Sequence, residues 1–218
     1  MSKHIAVWGF LLVFAIAVAI AYNIINQPKK LKIYNPSQLN PEIVDTTLRF
    51  VNKNHRIGKF SLTNQYGENI TEKNTEEKIY IADFFFTTCP TLCPKMSKQM
   101  IRVQEKYKNN PKIIILSHSV MPENDSVPAL LEYAIKQGAI KNKWHFLTGP
   151  REHIYDLARK QYFTATISGK GGLQDLMHTE NFVLIDSDKR IRGYYDGTSE
   201  NEVNILLKDI DTLLKEYE

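Results

Sequence analysis

The segment that most constrains the fold is residues 78–100, KIYIADFFFTTCPTLCPKMSKQM. From Lys78 to Phe86 it is β-branched, aromatic and aliphatic, interrupted only by Asp83. That is the composition of a central strand covered on both faces. Thr87 and Thr88 end the run, and the chain's two cysteines, Cys89 and Cys93, follow four positions apart.

The prolines place the next element. A helix opening at Pro90 would carry Pro94 one turn inside, where the missing N–H costs a hydrogen bond. A start at Pro94 avoids that conflict, and Met96, Met100, Val103 and Tyr107 then recur at helical spacing. Both thiols are therefore expected in a turn feeding a helix N-terminus, where unpaired N–H groups and the positive end of the dipole favour thiolate. Four residues at helical rise separate two Cα atoms by about 6 Å. That spacing suits a disulfide, two buried thiols or two sulfurs on one metal ion.

Length and charge narrow the classes. The 218 residues leave room for one membrane anchor and one domain with a sizeable core. The net charge of +4 is mild, and no basic block carries interleaved aromatics, which argues against a nucleic-acid partner. Residues 5–25 carry no charge. Twenty-one helical residues span about 31 Å, matching a hydrocarbon core of about 30 Å. This run exceeds a signal-peptide core, so an uncleaved anchor over 1–26 is expected, and the absence of a following cysteine excludes a lipoprotein anchor. Lys29, Lys30 and Lys32 flank the far end against Lys3 at the near end, so the positive-inside rule alone puts the domain in the cytoplasm.

Residues 27–54, with Pro28, Pro36 and Pro41, read as a tether lying along a domain of residues 55–218. Residues 60–63 and 64–70 form two short strands around a glycine turn, with a charged connector over 71–77. Lys112–His118 is a second doubly buried strand, so strand, helix and strand make a right-handed parallel crossover. Ser126 caps a helix over 129–137 that stops at Gly138. A short strand at 144–147, an amphipathic helix over 151–162, a hairpin of 181–186 with 190–195, and a closing helix over 200–217 complete the pattern. The glycine-rich stretch 168–172 lacks P-loop spacing and reads as a mobile connection.

This alternation predicts an α/β fold, a central mixed sheet flanked by helices, and a dithiol between the first central strand and its helix points to the thioredoxin-like architecture. A thioredoxin has two residues between its cysteines, and here there are three. Two soft thiolates suit Cu(I), and an added imidazole makes Cu(II) tolerable. A closed structural zinc site wants four ligands, which two cysteines do not favour, although catalytic zinc accepts three.

The chain closely resembles the Sco/SenC family. The resemblance spans about residues 55–217. It rests on Phe84 through Pro94, on the upstream Phe60-Ser61-Leu62-Thr63, on Asp125 and Pro128, and on Met177-His178-Thr179 before a strand ending Leu184-Ile185-Asp186. It implies a membrane-tethered thioredoxin-like domain on the extracytoplasmic, periplasmic side. It further implies copper, Cu(I) or Cu(II), held by Cys89, Cys93 and His178, and delivery to the binuclear copper centre of cytochrome c oxidase or to another copper enzyme. Met121 stands where family members commonly carry an aspartate, so an auxiliary ligand or docking charge is not carried over there.

Asp83, six residues before Cys89, is a candidate proton acceptor for a Cys89/Cys93 redox pair. A buried carboxylate without a partner is costly, so it is hydrogen-bonded, protonated or functional. His118 is expected near the mouth of the site, while His4, His55, His145 and His153 are read as structural or solvated. Three functions compete: a non-enzymatic copper chaperone, a thiol–disulfide reductase that keeps the cysteines of a partner's copper site reduced, and a non-metal adaptor with a structural disulfide.

Overall fold

The structure, a computed structural model, describes residues 2–25, 30–164 and 179–217, with the side chains of the first helix described over 7–22. That helix, α1 (Ser2–Ile25), precedes the domain. Among the described residues no helix is long and apolar enough to cross a membrane.

The domain is one seven-stranded mixed sheet in the order β2-β1-β5-β4-β3-β6-β7. β1 (Ser61–Asn64) and β2 (Asn69–Thr71) form the edge hairpin, turning at Gly67, whose φ of 76° is a conformation glycine adopts without Cβ strain. β3 (Ile79–Phe85) and β4 (Ile113–Ser119) pair in parallel over seven positions and are buried at every residue. β5 (Trp144–Thr148) extends the parallel set. On the other side of β3, β6 (Asn181–Ile185) runs antiparallel and pairs with β7 (Ile191–Asp196).

Alternation along β3 and β4 assigns each side chain to one of two cores. Ile79, Ile81 and Phe85 face a core built with α2 (Leu92–Tyr107), α3 (Val127–Gln137) and α5 (Glu200–Glu216). Tyr80, Ala82 and Phe84 face the other, covered by α4 (Arg151–Asp156), the π turn Leu157–Gln161 and the tether residue Val44. Ser126 caps α3 through Ala129 N–H, and Gly138 ends it in the left-handed region, as the sequence leads one to expect.

Residues 31–38, just ahead of the domain, make contacts with the sheet and α5. Tyr34 N–H donates to Ile191 O at 2.9 Å, and a 3₁₀ turn follows over Pro36–Gln38. Arg192, 4% exposed, donates to the carbonyls of Leu31 and Lys32 and pairs with Asp186 at 2.9 Å and Glu216 at 2.7 Å. Ile185 is opposite both Ile191 and Tyr80, so this clamp sits at the end of the sheet where β3 begins. The cysteines leave from the opposite end.

Two expectations change. α2 begins at Leu92, not Pro94, which puts Cys93 in the first turn and leaves only Cys89 in the preceding turn. Pro94 is tolerated because first-turn N–H groups have no intrahelical partner in any case. The helix over 151–162 is α only to Asp156 and then widens to a π turn.

Candidate metal centre

The end of β3 delivers the chain into a short turn. Thr87 is pinned there: its hydroxyl donates to Asp125 Oδ1 at 2.6 Å and its N–H lies 3.3 Å from both carboxylate oxygens. Asp125, fully buried, also accepts from Ser119 Oγ at 2.5 Å. One carboxylate in the loop before α3 thus ties together the ends of β3 and β4. Asp125 enters the sequence reading only as a motif residue, and its role as an anchor for the cysteine turn is visible only where Thr87 and Ser119 meet it in space.

Both cysteines are free thiols. Cys93 N–H points at Cys89 Sγ at 3.4 Å, so the turn folds the first sulfur over the start of α2. The two thiols differ in character. Burial raises Cys89, but the N–H groups of Cys93, Thr91 and Leu92 outweigh it and hold this half-buried thiol below its ordinary value. Cys93 is buried at 5% exposure, and that burial pushes it up to about 12. The thiolate preference expected of both cysteines therefore belongs to Cys89 alone. A cleft of about 200 Å³ lined by Thr87, Ala129, Glu132, Tyr133 and Lys136 adjoins the turn.

Asp83 points into the core that also holds Cys93. It is 5% exposed and accepts a hydrogen bond from Ser117 Oγ, which itself accepts from Trp144 Nε1 at 2.8 Å. Burial raises its carboxyl to about 7, only partly opposed by Ser117, and its charge acts on the Cys93 thiol.

His118 is not at the mouth of the site. It is fully buried on the opposite face of the sheet, its ring 4.9 Å from Phe84 and 5.5 Å from Tyr162. The period-2 alternation decides this, because Ser117 and His118 necessarily face opposite sides. Its Nδ1 meets Asp83 O at 3.2 Å, and burial lowers it to about 4, so the ring is neutral. His55 Nε2 meets Gln161 O and His145 Nδ1 meets Asn64, both structural contacts.

Among the described residues no third His, Cys, Asp or Glu joins the two sulfurs. His178, the glycine-rich stretch 168–172 and Met177 lie outside the described residues. The donor set in view, one thiolate-biased sulfur beside one buried thiol, fits a soft thiophilic ion.

A mixed sheet with a dithiol between a central strand and its helix defines a thioredoxin-like domain, and solved structures bear this out. A SCO1/SenC family lipoprotein from Bacillus anthracis is 28% identical, with a TM-score of 0.65, covering 74% of this chain and 96% of that one. BsSco, a member of the Sco family of cytochrome c oxidase assembly proteins in which a disulfide switch was identified, is 29% identical with a TM-score of 0.62, covering 73% and 94%. Arabidopsis thaliana ScoI with copper bound is 26% identical with a TM-score of 0.58, covering 73% and 98%. The SCO1/SenC family matches residues 51–215. The chain belongs to the SCO1/SenC family.

Proposed function

We propose that this protein is a membrane-anchored copper chaperone. In this reading Cys89, Cys93 and His178 hold one copper ion and pass it to the copper-site subunit of cytochrome c oxidase or to another copper enzyme. The observation that carries the reading is the pair of free sulfurs of unlike character at the start of α2. Cu(I) reaches the more accessible, thiolate-biased Cys89 first. Binding at Cys93 then displaces its proton, which makes uptake release protons and makes release reversible by ligand exchange. His178 as neutral imidazole supplies the third donor; copper itself as the cargo is in keeping with the copper-bound relative from Arabidopsis thaliana.

The anchor belongs to the same reading. α1 exposes apolar side chains on all sides, among them Trp8, Phe10, Leu12, Phe14 and Ile20, each more than half exposed. A helix apolar all round suits lipid rather than a protein surface. We place the domain on the extracytoplasmic side. The Bacillus anthracis relative is a lipoprotein, whereas here no cysteine directly follows the apolar run, and in this reading α1 itself is the anchor.

Titration of the reduced protein with Cu(I) tests the assignment. One equivalent should bind, and binding should be lost in Cys89→Ser and Cys93→Ser and strongly weakened in His178→Ala. Unchanged affinity in all three variants would overturn it.

Asp83 favours a second activity at the same site. A Cys89 thiolate attacks a partner disulfide and releases one partner thiolate, giving a mixed disulfide. Cys93 then passes its proton to Asp83 and attacks Cys89 Sγ, so the second partner sulfur leaves reduced and a Cys89–Cys93 disulfide remains. Asp83→Asn should slow this exchange about tenfold or more and leave copper stoichiometry intact. An unchanged exchange rate would remove Asp83 from the chemistry.

A further inference from the structure

The end of the sheet where β3, β4 and β5 begin carries a concentration of lysines that the copper chemistry does not use. Lys78 precedes β3, Lys108 and Lys112 precede β4, and Lys141 and Lys143 precede β5. Ile79 N–H donates to Lys112 O and Ile115 N–H to Lys143 O, which fixes these segments side by side. Lys78, Lys108, Lys141 and Lys143 line one depression of about 340 Å³. Lys112 lies beside it, on the rim of a second depression shared with Glu77, Asp188 and Tyr217.

These charges are only partly compensated. Lys108 pairs with Glu105 at 3.0 Å, and Lys143 is buried with its Nζ donating to the carbonyls of Asn110 and Ile113. Lys78 donates to Asn74 O, and Lys141 lies over the Tyr66 ring. Among the described residues no carboxylate pairs with Lys78, Lys112 or Lys141, and the nearby acids in sequence are the exposed Glu76 and Glu77. Burial lowers Lys143, and the nearby charge of Lys78 adds to it.

The tether emerges at this same end. Leu31 N–H donates to Glu216 Oε1 at 2.6 Å, and Arg192 grips the carbonyls of Leu31 and Lys32. α1 ends at Ile25, so six residue steps separate it from the clamp, a reach of at most about 21 Å. If α1 is the anchor, on which this inference rests, the lysine-rich end cannot move far from the lipid surface.

We infer that this lysine-bearing end docks on anionic phospholipid headgroups and sets the domain upright on the membrane, its thiols turned away. β3 has seven residues, so the cysteine turn stands about 23 Å beyond the docked end. Copper is then offered to a partner site held at that height above the bilayer. Each exposed lysine near an anionic surface shifts the docking equilibrium about fivefold, and salt weakens it.

The test uses the full chain in lipid nanodiscs, of phosphatidylcholine alone or doped with phosphatidylglycerol, read by amide hydrogen exchange. Stable incorporation into the phosphatidylcholine discs reports on the anchor by itself, and its failure overturns both the anchor and the docking. With the anchor in place, amides of residues 108–110, 112 and 140–143 should exchange about tenfold more slowly in the anionic discs. The cysteine turn, residues 87–93, should be unaffected. The protection should vanish at high salt and in the combined Lys78→Gln, Lys112→Gln, Lys141→Gln variant, whose copper stoichiometry should match wild type. Equal exchange in the two discs, protection that survives the lysine substitutions, or protection of the cysteine turn instead would each overturn the docking.

Discussion

Two buried carboxylates at opposite ends of the sheet meet opposite fates. Asp186, fully buried, is matched by Arg190 and Arg192, both at 2.9 Å, and Arg192 extends the pairing to Glu216 and the tether carbonyls. Asp83, buried almost as deeply, has among the described residues only the Ser117 hydroxyl, itself engaged by Trp144. The first arrangement satisfies its charge and fastens the chain. The second leaves a carboxyl raised to about 7, in the core shared with Cys93, where a proton can be exchanged at little cost. The tether end holds position and the thiol end is left able to react.

The largest effect that sharpens this contrast is the pH dependence of Asp83→Asn. A carboxyl at about 7 in the fold and near 3.8 when unfolded binds more protons in the native state between those values. Its stabilising contribution is therefore full below about pH 4 and is lost as pH rises through 7, a swing on the order of 4 kcal/mol. Urea unfolding across that window should show wild type losing stability relative to Asp83→Asn. Parallel profiles would mean that Asp83 is ionised in the fold and that the contrast fails.

Next in size is Arg192→Ala, which leaves Asp186 with Arg190 alone, strips Glu216 and frees the tether carbonyls. It should cost about 3 kcal/mol in denaturant unfolding and leave Cys89 alkylation in the native state unchanged. A change in thiol reactivity without loss of stability would reverse the assignment of roles. Smaller again, Asp125→Ala leaves the Thr87 and Ser119 hydroxyls and the Thr87 N–H without their acceptor. The expected cost is about 2 kcal/mol, with weaker copper binding because the cysteine turn loses its pin. Full stability with full affinity would show that the turn is held by other contacts.

The central strands were the most legible part of the chain, because β3 and β4 are apolar on both faces and need no partner to identify them. The site was legible as two thiols at a helix start, yet the difference between them was not. Whether Cys93 falls inside α2 depends on how the first turn accommodates Pro94, which a rule excluding interior prolines misjudges by two residues. His118 falls on the far face because a position at the end of a strand does not by itself tell which face it occupies. The Asp125 pin and the Arg192 clamp join residues 38 and about 160 positions apart, and no local pattern announces such pairs.

The most direct test of the account is X-ray absorption of the Cu(I)-loaded protein. It should report two sulfur donors and one imidazole nitrogen, with the imidazole contribution gone in His178→Ala and the sulfur count reduced in Cys89→Ser. A sulfur-free ligand set, or an imidazole signal that persists in His178→Ala, would contradict the site formed by Cys89, Cys93 and His178.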